Sequence, residues 1–111
     1  MSGNGRGGID ANGGPSNGHT CPAVFTGAKL ASPKSNVIAN LKAGDILDLR
    51  VIRQGNAFIL MASTGGADAG SVTHTSITQI IKCIQNGNNY VAHITKREGG
   101  QLELDIRLVS Q

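Results

Sequence analysis

Tyr90-Val91-Ala92-His93-Ile94-Thr95-Lys96, then Arg97-Glu98-Gly99-Gly100-Gln101, then Leu102-Glu103-Leu104-Asp105-Ile106-Arg107-Leu108-Val109: the reading of this stretch decides the fold class. Leu102, Leu104, Ile106 and Leu108 alternate with Glu103, Asp105 and Arg107, the period of two that puts one face of a strand on a core and the other in water. The glycine pair supplies the turn, so the stretch predicts a β-hairpin. Pairing Lys96 with Leu102 sets Ala92 opposite Ile106 and Ile94 opposite Leu104 on one apolar face. The outer face then carries His93 opposite Asp105 and Val91 opposite Arg107. Both strands agree on which face is apolar, and this fixes the register.

Upstream, the period changes. Ile77, Ile80, Ile81 and Ile84 fall at i, i+3, i+4 and i+7, one face of a helix. Ser76 and Gln79 have the spacing of a capping box, and Asn86-Gly87 offers residues that tolerate the left-handed backbone of a C-cap. One short helix is predicted, about Ile77 to Gln85.

Further back, Thr64 to Gly70 reads as a mobile loop, with Gly65-Gly66 and Asp68 in it. Ile46 to Arg53 and Ala57 to Ala62 read as strands around Gln54-Gly55-Asn56, a second hairpin. A three-residue turn sets Val51 opposite Ile59, Leu49 opposite Met61 and Ile52 against Phe58; a two-residue turn shifts every pair by one. Both faces of this hairpin are partly apolar, as in strands bent around a small barrel. Ala23 to Leu30 is a candidate first strand. Pro33 ends it, and Val37, Ile38 and Leu41 anchor the chain before Ala43-Gly44-Asp45 turns it. The fold class is therefore α+β, mainly β: a small curved sheet or an OB-like or SH3-like barrel of about five strands, with one helical lid.

The chain has 111 residues, two cysteines, no tryptophan and three aromatics, Phe25, Phe58 and Tyr90, which suits a single small domain. Residues 21–111 form that domain. Residues 1–20 hold seven of the sixteen glycines among Asn, Ser and Pro, and Arg6 offsets Asp10. Such a composition buries too little apolar surface to offset backbone ordering, so a disordered tail is expected there. A formal charge of +3 and a pI near 9.2 make the protein mildly basic. No apolar run approaches the ~20 residues of a membrane span, and the N-terminal residues lack the apolar core of a signal peptide. Membrane, secreted-disulfide and coiled-coil classes are set aside, and a cytoplasmic location is expected.

Chemistry-bearing residues are sparse. His19, Cys21, His74, Cys83 and His93 are scattered, without the paired spacing of a metal site, so no metal or cofactor is expected. Cys83 borders the helix's apolar face and reads as a small core residue. Ser71, Thr73 and Thr75 around His74 read as turn and cap chemistry. Glu103 and Asp105 lie on an exposed strand face, and Asp45 and Asp48 at a strand start. Gly65 to Gly70 lacks the Lys-Ser or Lys-Thr of a phosphate loop. No catalytic set emerges, and the chain is not read as an enzyme. The cations remain. Arg50, Arg53 and Lys96, with Tyr90 as a stacking ring, form the candidate nucleic-acid-binding face, in which each neutralised phosphate releases counterions. Tyr90 has a second reading, a rim residue closing the core, and Phe58 reads as core.

From Leu41 to Val109 the order of features resembles the HIRAN domain, a barrel-like module attached to DNA-processing enzymes and also found alone in bacteria. The resemblance rests on Leu41-Lys42-Ala43-Gly44-Asp45, on Asn56-Ala57 opening an apolar strand, on Gly70-Ser71-Val72 before the helix, and on Gly87 and Tyr90-Val91-Ala92 after it. The chain departs from that pattern at Gln54-Gly55, where an Asp-rich, Pro-containing turn is usual, and at Ser71 and Thr73, where an aromatic and a proline are usual. The resemblance implies a non-catalytic module binding single-stranded DNA or RNA. The alternative is a protein-interaction or assembly adaptor, of the kind found as an accessory protein of a phage or mobile element, that docks a partner through a sheet edge or the helix.

Overall fold

The computed structural model describes residues 21–110. The expected tail, 1–20, lies outside them. Six strands alternate with two helices: β1 (Val24–Ala31), α1 (Ser35–Ile38), β2 (Ile46–Gln54), β3 (Ala57–Thr64), β4 (Ala67–Thr73), α2 (Ile77–Gln85), β5 (Asn89–Glu98) and β6 (Gln101–Ser110). The strands close into an antiparallel barrel in the order β1-β4-β3-β2-β5-β6. This is the mainly β barrel expected, with six strands instead of about five. Closure gives every strand a neighbour on each side, although β2 meets β5 only at Ile46–Asp48 and β1 meets β4 only at Lys29–Ala31.

The β5–β6 hairpin keeps its expected body: Val91 faces Arg107, Ala92 faces Ile106, His93 faces Asp105 and Ile94 faces Leu104. At the tip the expectation fails. A bulge at Thr95 moves Lys96 opposite Glu103 and Arg97 opposite Leu102, and the turn shrinks to Gly99-Gly100. The β2–β3 register is one residue off throughout, with Val51 facing Leu60 and Ile52 facing Ile59. The turn there has two residues, and Gly55, at φ +62°, takes the first central position of a type II′ turn that only glycine fills without strain.

The segment expected as a mobile loop is largely strand β4. Its Gly65-Gly66 is a tight turn, and Ala67–Thr73 pairs with both β3 and β1. Gly70 is required there: a side chain would meet the Ala31 carbonyl at 3.0 Å, so the chain after β1 lies directly on β4. The Lys34 N–H donates to the Ala69 carbonyl at 2.9 Å across the same contact.

Inside the barrel, Leu47, Leu60, Ala62, Ala92, Ile94, Leu102, Leu104 and Ile106 are buried on alternate positions of four strands. Fully burying each large aliphatic side chain stabilises the fold by roughly 1.5–3 kcal/mol. Helix α2 spans the expected residues, packs on β2 and β3, and buries Ile80, Ile81 and Cys83. Its start is held differently from expectation, because Ser76 makes no side-chain cap. Instead the Ser76 N–H donates to His74 Nδ1 at 2.8 Å, and His74 Nε2 reaches the Thr26 carbonyl at 2.7 Å. The imidazole thus accepts on Nδ1 and donates from Nε2. Gly87, at φ +101°, ends the helix by donating to the Ile84 carbonyl.

Cys83 corrects the reading of the cysteines. It is disulfide-bonded to Cys21, with Cα atoms 5.7 Å apart and a sequence separation of 62. Cys83 is therefore not a free core thiol but half of a crosslink that composition did not lead one to expect. One cysteine stands at the margin of the Gly-rich segment and the other on a helix, and only the tertiary fold brings them together. A crosslink of that span raises stability by about 4 kcal/mol, mainly by restricting the unfolded chain. Among the described residues no helix is long and apolar enough to cross a membrane.

Candidate nucleic-acid interface

The four residues expected to form one face are not brought together. Tyr90 is 4% exposed. Its ring packs against Phe25 at 5.9 Å between centroids, and its hydroxyl donates to the Pro22 carbonyl at 2.7 Å. Burial pushes its pKa up, and no ring face is left for a base. Its reading as a stacking residue gives way to its second reading, closure of the core, because a strand that starts beside the helix C-cap turns alternate side chains into the barrel.

Arg50 lies on the outer surface of β2 and is paired with Asp68 at 2.8 Å. Arg53, three residues on, points to the opposite side, as the two-residue alternation of a strand requires. Lys96 sits in β5, which pairs with β2 only at Ile46–Asp48. Arg53 stands five residues beyond Asp48 along β2 and Lys96 three residues beyond His93 in the other direction, so Lys96 lies roughly 20 Å or more from the β2–β3 tip. It is paired with Glu98 at 3.4 Å. Of the expected set, Arg53 alone is free of an acidic partner among the described residues.

Phe58, read as core, is 51% exposed. It shares the inward parity of Leu60 and Ala62, but it stands so close to the hairpin tip that the barrel interior ends before reaching it. Its cross-strand neighbour is Arg53. On its other side lies α2, and the two enclose a groove of about 260 Å³ lined by Phe58, Thr78, Ile81, Lys82 and Gln85. Positions 78, 81, 82 and 85 form one helical face. The groove therefore has an apolar floor of Phe58 and Ile81 with the cation Lys82 in its lining, while Arg53 stands outside the lining as the cross-strand neighbour of Phe58. Lys82 makes no ion pair among the described residues, and Arg53 donates only to the Gly55 carbonyl, at 3.1 Å. Sequence reasoning missed Phe58 because an aromatic in an apolar run reads as core. The signal that could have found it was its place two residues after the Gly55-Asn56 turn.

A second groove, of about 320 Å³, lies on the outside of the barrel. Ile52, Ile59 and Met61 form its floor, and Lys34 stands at its margin. These three apolar side chains are only partly covered.

Several other polar groups are engaged in structure. Lys42 and Asp45 close the turn before β2, where the Lys42 N–H donates to the Asp45 carboxylate at 3.0 Å. That bond, ahead of the neighbouring ammonium, holds the Asp45 pKa below the usual carboxylate value. His93 faces Asp105 as expected, but the Asp105 carboxylate pairs with Arg107 at 3.4 Å. No three His, Cys, Asp or Glu side chains among the described residues gather as metal ligands. The chain matches no protein-family model, no curated protein and no solved structure.

Proposed function

We propose that this protein is a non-catalytic module that binds single-stranded nucleic acid through the groove between the β2–β3 tip and α2. The observation that carries the reading is Phe58: a half-exposed aromatic ring flanked by two cations, Arg53 and Lys82, without acidic partners. A base stacks on such a ring whatever its identity, and the flanking cations neutralise the adjacent phosphates. The resemblance to the HIRAN domain supports the same ligand class. The binding residues proposed are Arg53, Phe58 and Lys82, with Arg50, Tyr90 and Lys96 left to structural duties.

The disulfide bears on location. Such bonds persist in oxidising compartments and in the cytosol of hyperthermophiles, and are rare in other cytosols. The cytoplasmic assignment accordingly gives way to a disulfide-permissive one.

A titration of the oxidised protein with a fluorescent single-stranded oligonucleotide at two salt concentrations tests the proposal. Two phosphate contacts predict a slope of log affinity against log salt of about −1.4. Phe58→Ala should weaken binding by the ~1–3 kcal/mol of a lost stack. Arg53→Glu with Lys82→Glu should abolish the salt dependence while the fold survives. A wild type that fails to bind at low salt sinks the reading. The second reading, a protein-docking module, then stands on the outer groove of Ile52, Ile59 and Met61, whose apolar floor is only partly covered.

A further inference from the structure

We propose that the Cys21–Cys83 disulfide is a redox latch on this binding groove, opened by a dithiol reductant. The inference rests on the nucleic-acid reading above and supplies its regulation. Helix α2 has nine residues, fewer than the ~12–15 at which an isolated helix becomes even marginal in water. Its position is therefore set by what pins it. Both ends are pinned to the same piece of chain. At the N-terminal end, His74 connects to the Thr26 carbonyl at 2.7 Å and its ring lies against Phe25 at 5.9 Å. At the C-terminal end, Cys83 is bonded to Cys21. The groove residues Ile81, Lys82 and Gln85 lie within two positions of Cys83, on the half of the helix that the disulfide holds.

The stretch that receives these pins has attachments of its own. The Pro22 carbonyl accepts from the Tyr90 hydroxyl, and the Ala23 carbonyl accepts from the Leu108 N–H at 2.8 Å. Breaking the disulfide leaves β1 in the barrel and α2 held by His74, by the buried Ile80 and Ile81, and at its C-terminal end by the Asn88 backbone and side-chain N–H groups on the Cys83 carbonyl at 3.1 and 2.9 Å. The covalent loss falls on the half of the helix that carries Lys82.

Access to the bond is one-sided. Cys83 is 1% exposed, while Cys21 is only partly buried. A thiolate of the dithiol attacks the Cys21 sulfur, the Cys21–Cys83 bond breaks, and the Cys83 thiolate leaves and takes a proton from water. The second thiol of the reductant then displaces Cys21 from the mixed disulfide. The protein ends with two thiols and the reductant with one disulfide, a balanced two-electron exchange.

The test compares oxidised protein, protein reduced with dithiothreitol, and Cys21→Ser, which leaves Cys83 filling its buried place. Two readouts are used: single-stranded oligonucleotide affinity, and amide hydrogen exchange of Ile80 to Ile84 against that of β5 and β6. The latch predicts at least a tenfold weaker affinity in the reduced and Cys21→Ser forms, with faster exchange in α2 and unchanged protection in the barrel. Equal affinity in folded oxidised and reduced protein overturns the latch and leaves the binding proposal standing. Global loss of protection in both reduced forms overturns it as well, showing a staple for the whole barrel. Absence of binding by the oxidised protein overturns the functional reading, and the latch's role with it.

Discussion

At the tip of the β2–β3 hairpin the chain reads Arg53-Gln54-Gly55-Asn56, and at the tip of the β5–β6 hairpin it reads Arg97-Glu98-Gly99-Gly100. The geometry is shared as well. Each turn has two residues, with the first glycine at φ +62° or +59°, and each arginine Nε donates to that glycine's carbonyl, at 3.1 and 2.8 Å. Each arginine also faces an apolar residue across the ladder, Phe58 in one case and Leu102 in the other. From there the tips diverge. The Arg97 guanidinium also donates from Nη1 to the Ile38 carbonyl at 2.5 Å and the Leu41 carbonyl at 2.6 Å, closing the end of α1, and Leu102 is 0% exposed. Among the described residues Arg53 donates to no carbonyl beyond its own turn, and Phe58 stays half in water. One tip is sealed by the segment that arrives over it; the other is left open beside α2. The local sequence sets the turn, and the neighbouring element decides whether the tip serves structure or contact.

The largest effect expected from this contrast is at the apolar positions. Leu102→Ala should cost ~2–5 kcal/mol in denaturant unfolding, as for a fully buried leucine. Phe58→Ala should stay within ~1 kcal/mol, since a ring already half in water has less area to lose. Similar losses at the two sites would break the distinction between a sealed and an open tip.

The arginines sharpen it. Arg97→Ala removes charge-assisted bonds to carbonyls at the end of α1 and should destabilise by ~1.5–3 kcal/mol. Arg53→Ala should shift stability by no more than ~0.5 kcal/mol. A silent Arg97→Ala in thermal melts would show that α1 needs no such closure.

The smallest effect separates the two aromatics by pH. Burial raises the Tyr90 pKa above its ordinary 10.0, so the neutral hydroxyl is favoured by folding. The stability this provides is fully present below pH 10 and is lost as pH rises through the elevated value. Tyr90→Phe should cost ~1 kcal/mol near neutrality, through the bond to Pro22, and flatten the alkaline fall. Phe58→Ala should leave that alkaline limb as it was. An unchanged alkaline limb in Tyr90→Phe, measured by unfolding at pH 9 to 11, would contradict the buried hydroxyl.

What the residues disclosed in advance follows from how strongly each segment penalises a wrong assignment. In β5 and β6 a slip of one residue would put Glu103, Asp105 and Arg107 in the core, so the register could be read. In α2 the isoleucine spacing allows one face only. In β2 and β3, Ile52, Ile59 and Met61 are apolar on the outside while Leu47 and Leu60 are apolar inside, so a slip exchanges one greasy face for another and the register was misjudged. Strand β4 was read as a loop because Ala67-Asp68-Ala69-Gly70 carries no β-branched residue; pairing on both sides makes it a strand, and Gly70 is there to let Ala31 approach. The candidate site was partly legible: Arg53 was in the expected set, but Tyr90, expected as the stacking ring, is buried, and Phe58, read as core, is exposed. Neither exposure depends on residue type. Each depends on how far the barrel interior extends along the strand.

The pairing of β1 with β6, Val24 against Arg107, joins the first strand of the barrel to the last. During synthesis the β2–β3–β4 meander can form early from neighbours in sequence, but β1 must wait beside it with one edge vacant until β6 has emerged. Closure is then a long-range event, of the kind that makes β topologies fold in milliseconds to seconds. Until that moment the nascent chain offers the β1 edge that β6 covers in the finished barrel, and the interval before closure is when association with a second copy is easiest.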